Sequence, residues 1–528
     1  MRKIILALGI LVLAFAVIPG WADALTISGI FHFRDNIGPN PFGLPEGDVH
    51  IVGAVTITPS GTPTTALAAQ SGTQTPLTFQ PQPPLFPDQY LARFPFDPTL
   101  TGAWAISAAR GPETAGPVLT NDIPSPKLVP LLENVQVSGI GLMPLITWDV
   151  PDLTGLTLAT TRIRIRVIDA TTGESLSQFT VFTQFLGGVQ ELTKSMIVPA
   201  GLLEYGRSYV FRILFEDLIG PNGAIQNRSS SFSPAYTPAA VRAGDGFTLF
   251  GDRDLFEAQL GTRIVDDYEN PGYGFNLSDA DMTAILGETR YTATQFANLN
   301  SVVGGPTNHH YCAGCNGTFL LSFGETSVSE GGTVFGAGFD TARIVSNSRW
   351  TDYPSAVITF GDGATTSVRL GGGFIGVTAG ERGIRSIHVG LPDGSATDTL
   401  YVEIDNVTIG NSAVLGVTID IKPGAFPNTI NLKSEGRVPV AILGTATFDV
   451  RTLDPATLTL AGAPIARTPH DALMAAIEDV NGDGHPDLIV HFETAALGLS
   501  HGDTEAALDG VTLDGRQIRG VDSVVIVR

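Results

Sequence analysis

Short runs in which apolar and polar residues alternate recur along the chain, and turns rich in Gly, Pro, Asn or Asp close them. Tyr90, Ala92, Phe94 and Phe96 fall on one face of such a run. Tyr209, Phe211, Ile213 and Phe215 do the same, and residues 161–168 alternate strictly. A period of two is the mark of a strand with one buried face. The pattern predicts strands near 49–58, 90–96, 103–108, 161–168, 209–215, 318–323, 356–360, 366–370, 385–389 and 399–404. One short helix is expected over 279–286, where Ser278 offers an N-cap oxygen, a carboxylate sits in the first turn and Gly287 ends the run. The fold class that follows is all-β.

A chain of 528 residues is too long for one ordinary core, and about three to five units is the sensible expectation. Arg2 and Lys3 precede the apolar run 4–18, and Ala22, Asp23 and Ala24 follow it, so residues 1–24 are predicted to be a signal peptide. Export to the cell surface or the medium is expected, with no membrane span after cleavage. The segment 234–243, with four alanines and two prolines, reads as a linker, and the 81–84 Pro-Gln-Pro-Pro stretch reads as a stiff connector. A formal charge of −22 repels nucleic acid and anionic lipid and favours divalent cations.

Four β-sandwich or jelly-roll domains in series are expected after the signal peptide. Residues 25–128 read as an immunoglobulin-like unit. Residues 129–240, with Trp148 and the 203–209 run ending in Tyr209, resemble a fibronectin type III domain. That likeness implies a tyrosine corner at Tyr209 and a spacing or binding role. Residues 312–319, 373–377 and 402–410 make 244–416 similar to the jelly-roll ectodomains of exported bacterial proteins that carry a Pro-Glu-Pro sorting signal. The 417–528 segment, from Val417-Thr418-Ile419-Asp420 through His501-Gly502-Asp503, resembles a C-terminal β module of secreted bacterial proteins. The resemblance implies an accessory domain.

Within that last segment Asp479, Asn481, Asp483 and Asp487 stand at loop positions 1, 3, 5 and 9, with Gly484 at 6 and the His485 carbonyl at 7. Oxygens at alternate positions, with glycine where the backbone must turn, are how a loop wraps a hard cation, so the expected cofactor is calcium. Val490 stands where a helix-loop-helix site has its bidentate glutamate. A structural site with an affinity of about 0.1 to 1 mM is therefore expected. Three carboxylates forced together should raise one another's pKa and open the loop unless a cation neutralises them.

Cys312 and Cys315 are most simply one disulfide in an exported protein, with a zinc site using His309 and His310 as the other reading. Arg162, Arg164 and Arg166 share one strand face. They would hold a polyanionic polysaccharide or pair with carboxylates on a neighbouring strand. Tyr268, Tyr273, Tyr291, Trp350 and Tyr353 are candidates for stacking on a sugar ring, and the polar setting of Trp350 and Tyr353 puts those two first. His470, His485, His491 and His501 fit no zinc spacing.

No His-Glu-x-x-His zinc-protease helix and no Gly-x-x-x-x-Gly-Lys phosphate loop occurs, although Asp266, Asp267 and Glu269 have the chemistry of a glycosidase pair. The expected function is a non-catalytic extracellular protein, stabilised by calcium, in adhesion, matrix assembly or glycan binding. Its partners would be extracellular polysaccharide or cell-surface proteins. A glycan-cleaving enzyme and a purely structural spacer are the alternatives.

Overall fold

The computed structural model describes residues 25–527 apart from 59–64, 81–88, 124–127, 155, 157–160, 182–183, 187–188, 218–226, 296–298, 306–307, 314, 316, 348 and 514–515. The expected signal peptide and the 81–84 connector lie outside the described residues. Strands dominate, as the alternation requires, and the fold is all-β. The described residues form two compact units. One is drawn from the described residues of 25–136, 147–194 and 208–236, the other from those of 137–146, 195–207 and 237–527.

The first unit is built on β1 (Thr26–Ile37), β2 (Gly47–Thr58), β3 (Thr65–Gln70), β4 (Thr73–Gln80), β5 (Gln89–Pro95), β6 (Ala105–Arg110) and β7 (Glu113–Leu119). In chain order there follow β8 (Glu133–Ser138), β9 (Leu145–Asp149), β10 (Thr161–Asp169), β11 (Ser175–Val181), the short pair β12 (Gln184–Leu186) and β13 (Val189–Glu191), and β14 (Ser195–Ile197), of which β14, the end of β8 and the start of β9 are counted with the second unit. The series ends with β15 (Tyr209–Asp217) and β16 (Asn227–Phe232). Eleven of these strands form one sheet in the order β11-β10-β15-β16-β1-β2-β5-β4-β3-β6-β7. The join is parallel, β1 against β16, with Asp35 opposite Arg228. Strands from 25–128 and from 129–240 therefore share a sheet. Trp104 and Ile106 anchor the core beside β3 to β6. β15 is buried along its whole length although Arg212 and Glu216 stand on it.

In the second unit an antiparallel eight-stranded sheet, centred on Gly336–Val345 and Tyr401–Ser412, and a five-stranded sheet, centred on Phe319–Ser322 and Ile384–Gly390, share one core. Phe339, Ile404 and Tyr311 reach it from the first sheet; Phe319, Ile358 and Ile387 reach it from the second. The expected helix is present at Asp279–Leu286. The Ser278 hydroxyl accepts from the Asp281 amide at 3.0 Å, and Gly287 closes the helix at φ 76°. A helix at Arg253–Glu257, capped by Asp252, was not anticipated, since five residues leave too short a pattern to read. The end of the expected linker is a strand: Val241–Ala243 pairs with Thr248–Phe250 across a turn at Gly246, φ 72°.

Residues 417–528 contribute their own core around Ile421, Val440, Val490, Phe492 and Leu508. Arg437–Ile442 pairs with Asp487–Glu493, which pairs in turn with Ala475–Glu478. The last pairing makes the 479–486 loop the connection of an antiparallel hairpin.

Candidate functional site

The loop closes through its own hydrogen bonds. The two Asp479 carboxylate oxygens accept from the amides of Gly482 at 2.8 Å and Gly484 at 3.1 Å. Asn481 Oδ1 accepts from the Asp483 amide at 3.0 Å, and Asp483 Oδ1 accepts from the His485 amide at 2.8 Å. Gly482 and Gly484 take φ of 75° and 87°, which L side chains rarely adopt, and so let the chain double back twice within three residues. The mutual raising of carboxylate pKa values expected from the sequence is not what governs Asp483. Its pKa is lowered, first by the His485 amide and then by the Asn481 side-chain amide, which donates at 3.0 Å.

Asp487 differs from the other three. It is 0% exposed, and its Oδ1 and Oδ2 accept from the amides of Gly444 and Val480, each at 2.8 Å. Its carboxylate ties the hairpin mouth to the end of the neighbouring strand. Among the described residues, no three Asp, Glu, His or Cys side chains are grouped as a metal site. The donors at Asp479, Asn481, Asp483 and the His485 carbonyl are all oxygen, which suits a hard cation in kind. Each carboxylate oxygen that takes one amide proton keeps a second lone pair.

Cys312 and Cys315 form a disulfide, with Cα atoms 4.8 Å apart. The two histidines beside them are engaged elsewhere. His309 Nδ1 lies 2.7 Å from Glu269 Oε2, and His310 Nδ1 lies 3.1 Å from Glu403 Oε2. Trp350 is held edge-on to Tyr401, ring centroids 4.9 Å apart, with the Arg349 guanidinium 5.0 Å from its own ring centre. The Tyr353 hydroxyl lies 3.4 Å from that of Ser346. Both aromatic rings are half-buried in the loop between strands Gly336–Val345 and Ser355–Phe360.

Tyr268 and Tyr291 are buried, so they offer no face to a sugar. With Tyr273 they enclose Asp266, which is 1% exposed. The Tyr291 hydroxyl donates to Asp266 Oδ2 at 2.7 Å, and the Tyr273 hydroxyl lies 2.8 and 2.7 Å from the two oxygens. Burial raises the Asp266 pKa, and these hydroxyls oppose the rise. Above them a recess of ≈ 230 Å³ is lined by Tyr268, Glu269, Tyr273, Phe275 and His309. Hydrogen bonds from His309 lower the Glu269 pKa.

The arginine row divides. Arg162 Nε donates to Glu216 Oε2 at 2.6 Å, and Arg164 pairs with the other oxygen of the same carboxylate. Two of the three arginines thus meet a carboxylate on the neighbouring strand. Arg166 stands opposite Arg212 instead.

No family model matches the chain, and no curated protein matches it. Among solved structures, one titled as the crystal structure of chicken CNTN1 FN1-FN3 domains aligns at 9% identity over 74% of this chain and 100% of that chain, with a TM-score of 0.17. At that TM-score the likeness says nothing about the fold or function of this chain.

Proposed function

We propose that the chain is a non-catalytic, exported all-β multidomain protein that works outside the cell in adhesion, matrix assembly or glycan binding. Calcium held by Asp479, Asn481, Asp483 and the His485 carbonyl would stiffen its C-terminal hairpin. The observation that supports a non-catalytic role is the use made of Asp266. A general acid or nucleophile has to reach substrate, whereas this carboxylate is enclosed by the hydroxyls of Tyr273 and Tyr291. Glu269 is left without it and is hydrogen-bonded by His309. The partner class is extracellular polysaccharide or a cell-surface protein, and Trp350 with Tyr353 is the first place to look for a sugar contact.

Glycan cleavage is the second reading, and the recess beside Glu269 and His309 is what favours it. Purified protein incubated with a panel of polysaccharides is expected to release no reducing sugar and to retain at least one glycan on an array. Release of reducing sugar that Glu269→Ala abolishes would replace the binding role with an enzymatic one. Silence in both assays would leave a spacer.

A further inference from the structure

A second feature lies in the first unit, on the sheet face opposite Ile163, Ile165 and Val167. Arg164 and Arg166 on β10, Arg212 on β15, Arg228 on β16 and Arg93 on β5 line one pocket of ≈ 240 Å³. Its other wall is apolar, with Phe31, Phe33, Ile51 and Leu91. Arg212 and Arg228 are only 5% and 6% exposed.

Two carboxylates serve this group. Asp35 accepts from Arg212 at 3.1 Å and from Arg228 Nε at 2.8 Å, and it takes the Ser230 hydroxyl on its other oxygen at 2.8 Å. Glu216 is shared by Arg162 and Arg164. Arg93 and Arg166 have no carboxylate within ion-pair distance among the described residues, and the Nε atoms of Arg93, Arg166 and Arg212 are buried with no hydrogen-bond partner there. The register adds to the imbalance by setting Arg166 directly across from Arg212, a like-charge pair that destabilises a sheet. Burial lowers the pKa of Arg166 to about 10, with the Arg228 and Arg164 charges adding to the effect. Crowding guanidinium groups out of water is costly without counter-charge. A packing role for Asp35 and Glu216 accounts for Arg162, Arg164, Arg212 and Arg228; among the described residues it leaves Arg93 and Arg166 without a direct ion pair, with only the more distant charges of Asp35 and, for Arg166, Glu216 acting on them.

We propose that this pocket binds an oxyanion, a carboxylate, sulfate or phosphate ester, carried on a small body with an apolar or ring-shaped face. The planar guanidinium fork suits such groups by paired, charge-assisted hydrogen bonds. The Phe31 and Leu91 side takes the body of the ligand. The volume is below the roughly 300–1,000 Å³ of pockets for drug-sized ligands, so one ring or a short chain is the right size. An acidic sugar residue has both parts, which would connect the pocket with the glycan-binding reading. The pocket does not depend on that reading, nor on the calcium loop.

The test is isothermal titration of the full chain with sodium sulfate, inorganic phosphate, glucuronate and benzoate, against sodium chloride at matched ionic strength. Binding of at least one probe is expected, and Arg166→Met should weaken it at least tenfold with an unchanged circular-dichroism spectrum. If Arg166→Met does not fold, Arg93→Met at the opposite wall carries the same expectation. Tighter binding of glucuronate than of sulfate and phosphate would assign the acidic-sugar source; tighter binding of benzoate would assign an aromatic acid. Heats no different from chloride for all four probes, or equal affinity in wild type and both variants, would overturn the proposal.

Discussion

Lowering the pH from 6.5 to 4 is expected to remove about 3 kcal/mol of stability from the first unit through His32 alone. His32 is 0% exposed, its Nε2 is 3.0 Å from His50 Nδ1, and Trp104 lies edge-on to its ring at 6.1 Å. Burial, and then the charge His50 would carry, push its pKa down to about 3. An ordinary histidine in the unfolded chain titrates near 6.5. Between those two values the unfolded chain takes up a proton that the folded chain refuses. The stability is therefore complete above about pH 6.5 and is lost as pH falls towards 3. His50 shifts in the same direction, chiefly through burial, although the Asp97 backbone and the charges of Asp48 and Asp97 oppose it. Urea midpoints of the wild type and His32→Gln across this range should converge as pH falls, the wild type losing about 1.4 kcal/mol more per pH unit. Parallel lines would show that His32 is not the group responsible.

Asp487→Ala is expected to cost on the order of 3 kcal/mol, since it strips two backbone amides of their acceptor. The Gly444 amide belongs to the turn after strand Arg437–Ile442, and the Val480 amide opens the 479–486 loop. One buried carboxylate holds both, so its loss should loosen the loop and unpin the neighbouring strand together. Asp479→Ala, at an exposed loop residue, should cost less in calcium-free buffer. Measured by urea unfolding, an Asp487→Ala variant within about 0.5 kcal/mol of wild type would refute the anchoring role. It would also return Asp487 to the ligand set that its spacing suggests.

What could be read from the sequence was local. The helix at Asp279–Leu286 was legible because Ser278 and Gly287, its start and stop signals, lie within a turn of the residues they cap. β10 and β15 were legible because a period of two needs only the strand itself. The parallel pairing of Arg34–Ile37 with Asn227–Ser230 left no local trace, and neither did the one sheet that runs across the expected boundary near residue 128. The same limit applied to chemistry. The Arg162, Arg164 and Arg166 row was visible as a spacing, but Arg93, Arg212 and Arg228 join its face only through strand order. Tyr268, Tyr273 and Tyr291 read as candidate sugar platforms because nothing nearby in sequence shows that Asp266 is their partner. Asp487 read as a ligand because spacing reports position in a loop and is silent on which amides the carboxylate will meet.

The most direct measurement is the melting temperature of the full chain in excess EDTA and in about 10 mM calcium, with Asp479→Ala and Asp483→Ala alongside. For a loop of the affinity expected here, that concentration approaches a hundred times the dissociation constant, worth up to about 2.7 kcal/mol. A clear rise with calcium is expected in the wild type and none in either variant. A wild type that melts at the same temperature in both buffers would contradict it.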